Sequence, residues 1–134
     1  MSAMIDHISL RVRDIAQARA FYDAVLAPLG YQRLYDYPDA SGYGPPRPHP
    51  LKEQALPFWL GQDEGAAALS GHLCFTAPSR AAVDAFHRAA LACGGTEAGA
   101  PGLRPRYTMP FYGAFAIDLD GFKIEAVCRS ATQE

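Results

Sequence analysis

The chain is built twice from one plan. His7 and His72 stand 65 residues apart (72 − 7), and at that offset Leu10 falls on Phe75, Val12 on Ala77, Asp14 on Ser79, Phe21 on Phe86, Leu26 on Leu91 and Gly30 on Gly95. Over about 24 positions the two copies need no gap. A chain of 134 residues is one ordinary domain, here made of two small halves that must share a core.

Each copy opens on a strand pattern. In "HISLRV", Ile8, Leu10 and Val12 alternate with His7, Ser9 and Arg11; in "HLCFTA", Leu73, Phe75 and Ala77 alternate with His72, Cys74 and Thr76. A period of two marks a strand with one apolar face. Asp14 and Ser79 then suit helix N-caps, because their side-chain oxygens can accept from a free backbone N–H of the first turn. The spacing of Ile15, Ala18, Phe21, Tyr22, Val25 and Leu26 predicts a helix over about 15–27. That of Val83, Phe86, Ala90 and Leu91 predicts a second over about 80–93, with Gly30 and Gly94-Gly95 as stops.

Strands follow each helix: "YQRLYDY", a short segment near "SGYG" and "LPFWLG" in the first copy, then a segment near "TEAGA", "FYGAFAID" and "FKIEAVC" in the second. Asp-Gly in "DLDGF" supplies hairpin chemistry between the last two. Each copy reads β-α-β-β-β. The breaker-rich stretches 38–50 and 98–110 read as loops or lids rather than central strands.

If each helix covers the apolar face of its sheet, the faces bearing His7 and His72 are left to line something else. On the last strand Ile124 and Ala126 read as helix-facing, so Glu125 falls on the side of the histidines. Should the sheets curl together, two imidazoles and one carboxylate meet, the facial-triad set that holds a divalent metal with open positions. The competing reading is two hydrogen-bonded structural histidines and a solvated glutamate. His49 and His87 read as structural or solvated.

Composition narrows the class. Apolar residues at 49% and charged residues at 19% are those of a globular protein. A net charge of −2 argues against a nucleic-acid partner, and no apolar run reaches the roughly 20 residues of a membrane span. "MSAMIDH" shows no signal-peptide pattern, so a cytoplasmic location is expected. Cys74, Cys93 and Cys128 form no CxxC pair and read as free thiols.

The segments "IDHISLRVRDIAQARAFYDAVLAPLGY", "HLCFTAPSRAAVDAFHRAALACGG" and "YGAFAIDLDGFKIEAV" together resemble the vicinal oxygen chelate superfamily of glyoxalase I, bleomycin-resistance proteins, fosfomycin-resistance transferases and extradiol dioxygenases. The resemblance runs from about residue 4 to 128 and implies an α+β fold: two tandem βαβββ modules (about 4–62 and 70–129) forming a cupped, incomplete mixed β-barrel with helices outside. It implies metal ligands at His7, His72 and Glu125, one divalent ion (Fe, Mn, Ni or Zn) per site, a small-molecule substrate, and a homodimer that in some members pairs modules across chains. Glyoxalase I uses a further glutamate on the last strand of its first module; the offset of 65 puts Leu60 there (125 − 65), which argues against lactoylglutathione lyase activity. Related sequences also carry an extra histidine where this chain has Thr108 and Met109.

Other pocket candidates are Tyr112, which could hydrogen-bond a substrate oxygen at the metal or pack in the core, and Arg11, Arg104 and Arg106, which could bind an anionic group. Trp59 and Phe58 are expected to line the first module's half of the cup. The reading that gathers these is a divalent-metal-dependent enzyme acting on a small oxygenated metabolite, with Glu125 and Tyr112 catalytic. The alternatives are a metal-free sequestering protein of the bleomycin-resistance type and a structural subunit.

Overall fold

The computed structural model describes residues 4–46, 56–67, 70–105 and 110–130. His49, Arg106, Thr108 and Met109 lie outside the described residues. The elements follow in the order β1 (Ile8–Val12), α1 (Ile15–Leu26), a 3₁₀ turn (Ala27–Leu29), β2 (Gln32–Tyr37), β3 (Ala40–Gly44), β4 (Phe58–Gln62), β5 (His72–Thr76), α2 (Arg80–Ala92), β6 (Thr96–Leu103), β7 (Tyr112–Ile117) and β8 (Lys123–Cys128). They form two four-stranded mixed sheets, ordered β1-β4-β3-β2 and β5-β8-β7-β6. In each sheet the first strand runs parallel to the last, and the other pairs are antiparallel.

The helix starts are set by their caps. The Asp14 carboxylate accepts from Gln17 N at 3.1 Å and the Ser79 hydroxyl from Ala82 N at 3.1 Å, each satisfying an otherwise orphaned donor. The predicted stripe of α1 is the observed one: Ile15, Ala18, Phe21, Tyr22, Val25 and Leu26 are all buried. Gly30 at φ 89° and Gly94 at φ 98° stand just past the helical segments, in the left-handed region that costs a residue with a Cβ.

One core joins the halves. Leu10, Val12, Phe58 and Leu60 from the first sheet meet Phe75, Ala114, Ala116, Ile124 and Ala126 from the second, around Phe21, Tyr22, Val25, Val83 and Phe86 of the helices. Each large side chain buried there contributes about 1.5–3 kcal/mol. The seam also has a polar clasp: Tyr22 donates from its hydroxyl to Asp118 Oδ2 at 2.5 Å, 96 residues away and buried. The other oxygen, Oδ1, accepts from the backbone of Asp120 and Phe122 and so builds the β7–β8 turn. Arg13 reaches the same turn through Asp120, at 2.9 Å.

The two breaker-rich stretches are strand in part. The short strand expected near "SGYG" is β3, but it lies inside its sheet between β2 and β4, where the breakers of 38–50 argue against a central strand. Gly42 sits there because a Cβ would come within 2.7 Å of Leu56 Cδ1 and 2.8 Å of the Trp59 ring; the strand is glycine-rich to let the indole cross it. Residues 98–103 continue β6, an edge strand whose register shifts between Gly99 and Gly102. Pro101 falls in that irregularity, where its missing N–H disturbs no ladder.

Candidate functional site

The faces turned away from the helix core carry the polar candidates, in two separate sets. Over the first sheet lies a cavity of about 680 Å³ whose walls, among the described residues, come from the first half of the chain, with His7, Ser9, Arg11, Tyr37, Trp59 and Gln62 among them. Its floor is bare backbone, since β1 and β3 set Arg11 and Ala40 on either side of Gly61. The indole N–H of Trp59 donates to Leu56 O at 3.0 Å, and Tyr37 packs on the ring at 6.2 Å between centroids. His7 stands at the rim, half exposed, with Nδ1 2.6 Å from Asp6 Oδ1. Gln62 is held in place by accepting from Ile15 N at 2.9 Å.

The second sheet carries His72 and Glu125. His72 Nε2 is 3.1 Å from Glu125 Oε1, and the imidazole meets the Phe115 ring edge-on at 5.6 Å. Glu125 is 3% exposed, yet its Oε2 has no hydrogen-bond partner among the described residues. Gly113 makes room for that oxygen: a Cβ there would stand 3.3 Å from Oε2 and 2.9 Å from the Phe111 ring. Lys123 Nζ lies 4.8 Å and the Arg104 guanidinium 5.8 Å from the Phe115 centroid, so both cations border this face. Cys74, beside Glu125, has its thiol pushed up to about 12, first by burial and then by the neighbouring carboxylate. A buried carboxylate oxygen with no donor carries an uncompensated desolvation cost, which a cation would offset.

The sequence-derived candidates therefore divide. Parity places His72 with Glu125, but His7 does not join them: among the described residues no three His, Cys, Asp or Glu side chains group to hold a metal. Tyr112 turns to the helix side, where its hydroxyl donates to Asp84 Oδ1 on α2 at 2.7 Å and Arg80 stacks on its ring. The reason is packing, since α2 lies close enough to β7 that only Ala114 and Ala116 fit beneath it, leaving Phe115 on the open face. Phe58 likewise belongs to the core rather than the cup, while Trp59 lines the cavity. Arg104 donates to Ala100 O at 2.7 Å. His87 is structural, hydrogen-bonded to Glu97. Strand parity already sets Lys123 and Cys74 on the side of Glu125 and His72; sequence reasoning missed Phe115, because it turned Tyr112 rather than Phe115 toward that face of β7.

The repeat also slips by one residue in the last strands. Cys74 pairs with Glu125 while its counterpart Ser9 pairs with Trp59. The first-half equivalent of Glu125 is therefore Trp59, not Leu60, which points into the core. An indole stands where the second half has its carboxylate.

A family model described as the Glyoxalase/Bleomycin resistance protein/Dioxygenase superfamily matches residues 4–126. A solved glyoxalase/bleomycin resistance protein from Albidiferax ferrireducens is 31% identical, with a TM-score of 0.79 over 96% of this chain and 100% of that one. A glyoxalase/bleomycin resistance protein/dioxygenase family enzyme from Burkholderia phytofirmans is 19% identical, with a TM-score of 0.68 over 96% and 100%. A genomically encoded fosfomycin resistance protein from Listeria monocytogenes is 16% identical, with a TM-score of 0.64 over 100% and 97%; these last two show the fold alone. No curated protein matches. No helix among the described residues is long and apolar enough to cross a membrane.

Proposed function

The chain belongs to the Glyoxalase/Bleomycin resistance protein/Dioxygenase superfamily, and from that premise we propose that it is a divalent-metal-dependent enzyme acting on a small oxygenated molecule. Its centre is formed by His72 and Glu125 of one copy and His7 of a second. The observation that carries this reading is Glu125, almost wholly buried with Oε2 unpartnered, beside an imidazole nitrogen 3.1 Å from Oε1. That spacing also suits two neighbouring donors on one ion at about 2.0–2.2 Å each, so the pair fits a metal. His7 presents an imidazole at the rim of a half-site whose last strand carries Trp59 where the other half has Glu125, and a twofold dimer would bring such a rim to the partner's second sheet.

A bound ion would supply Lewis acidity toward two adjacent substrate oxygens. The chain's own residues do the rest: Phe115 and Phe111 keep water from Glu125, Lys123 and Arg104 hold positive charge at the edge of the site, and the cavity over the first sheet houses the organic part of the substrate. Trp59 in place of a second carboxylate, the fourth ligand, disfavours lactoylglutathione lyase chemistry. Protein purified without a chelating tag should bind about one divalent ion per chain among Mn, Fe, Ni and Zn. His72→Ala or Glu125→Ala should weaken binding at least tenfold, and failure to bind any of the four overturns the reading.

One observation favours a metal-free sequestering protein instead: each imidazole already has a carboxylate partner, His7 with Asp6 and His72 with Glu125. Small-molecule binding that is untouched by chelators, in protein that takes up no metal, would establish that alternative.

A further inference from the structure

We propose that the cavity over the first sheet takes a planar aromatic carboxylate of about naphthoate size, its ring on Trp59 and its carboxylate on Arg11. This rests on the reading of that cavity as the substrate's seat and names the class of substrate it admits. The cavity has one aromatic wall and one cationic end. Trp59 replaces the carboxylate of the other half, and Tyr37 tilts against it at 32°. The indole crosses Gly42 so closely that no side chain fits beneath it, which fixes the ring as a flat platform suited to stacking.

The Arg11 side chain makes no hydrogen bond or ion pair among the described residues. It extends over the bare backbone of Gly61: a Cβ there would stand 3.9 Å from Arg11 Nη1 and 4.0 Å from Ser9 Oγ. The guanidinium fork and a hydroxyl thus converge on one open spot, and that fork matches a carboxylate's two oxygens. Among the described residues two acidic side chains, Asp6 and Asp39, share the cavity. Asp6 is held by His7. Asp39 forms no ion pair with Arg11 and makes the rim unfavourable to a dianion, which selects a single negative charge over a phosphate. Arg11 and His7 are four residues apart on one face of a strand, or about 13 Å at roughly 3.3 Å per residue. A ligand anchored at Arg11 must therefore be long and flat to reach past Trp59 toward His7.

Trp59 is the only tryptophan, so its indole N–H gives one reporter signal in a ¹H–¹⁵N spectrum. In chelator-treated, metal-free protein, 2-naphthoate should shift that signal saturably, and 2-naphthamide should bind at least tenfold more weakly. Arg11→Leu should remove the difference between the two, and Arg11→Lys should retain part of it. An unmoved indole signal, equal affinities in the native protein, or a preference surviving in Arg11→Leu overturns the proposal. Because no metal is present, loss of the His72–Glu125 centre would leave this result unchanged, so the two readings fail separately.

Discussion

His72 Nε2 lies 3.1 Å from Glu125 Oε1, and the second oxygen of that carboxylate is buried without a partner. A fold that keeps a buried charge half satisfied loses stability there. Glu125→Leu should therefore leave metal-free protein as stable as the parent or more so, by up to about 1–3 kcal/mol, while abolishing metal uptake. Denaturant unfolding and elemental analysis of the same preparation check the two halves of this expectation.

Tyr22 and Asp118 clasp the two halves at 2.5 Å. Tyr22→Phe leaves the buried Oδ2 of Asp118 without its donor and should cost about 1–3 kcal/mol, read from urea unfolding. Asp118 also sets a pH dependence. Burial, the largest cause, raises its pKa above the ordinary 3.8, against the lowering effect of its hydrogen bonds. The folded state then holds this proton more tightly than the unfolded one. Its contribution is fully present below about 3.8 and is lost as pH rises through the higher folded value. Asp118→Asn should remove that decline from the stability profile.

Cys74 is exposed as a residue but its thiol end is part-buried, and burial first and Glu125 second push that thiol up to about 12. Relative to an ordinary thiol near 8.5, this leaves on the order of 10³-fold less thiolate at neutral pH. Alkylation followed by peptide mapping should find Cys74 at least a hundredfold slower than a model thiol, and Glu125→Gln should speed it.

Gly42 has no room for a Cβ between Leu56 and the Trp59 ring. Gly42→Ala should destabilise by about 1–3 kcal/mol and displace the indole, visible as a shift in tryptophan emission.

Much of this was legible in the sequence where the signal is local. Asp14 and Ser79 cap because capping needs only a side-chain oxygen and the next turn, and the α1 stripe follows from helical geometry. Strand parity put His72 and Glu125 on one face, because alternation is a property of the strand alone. What depended on packing between elements was not legible. The short strand near "SGYG" was legible, but not its place inside the sheet, because nothing local tells that an indole crosses Gly42. Tyr112 seemed free to face the metal because the close approach of α2 to β7, which puts the alanines inside, is a tertiary fact. The one-residue slip that puts Trp59 opposite Glu125's place is set by register, and no ungapped offset reveals it. That His7 stands apart from His72 and Glu125 depends on how the halves pack.

The most direct test mixes two defective variants. If each centre draws His7 from one copy and His72 with Glu125 from the other, His7→Ala and His72→Ala homodimers should both bind metal at least tenfold more weakly than the parent. Their co-expressed heterodimer should regain one full-affinity site per two chains, because one of its two centres is intact. Metal stoichiometry of the purified heterodimer that stays at the level of the single variants would contradict a centre shared between copies.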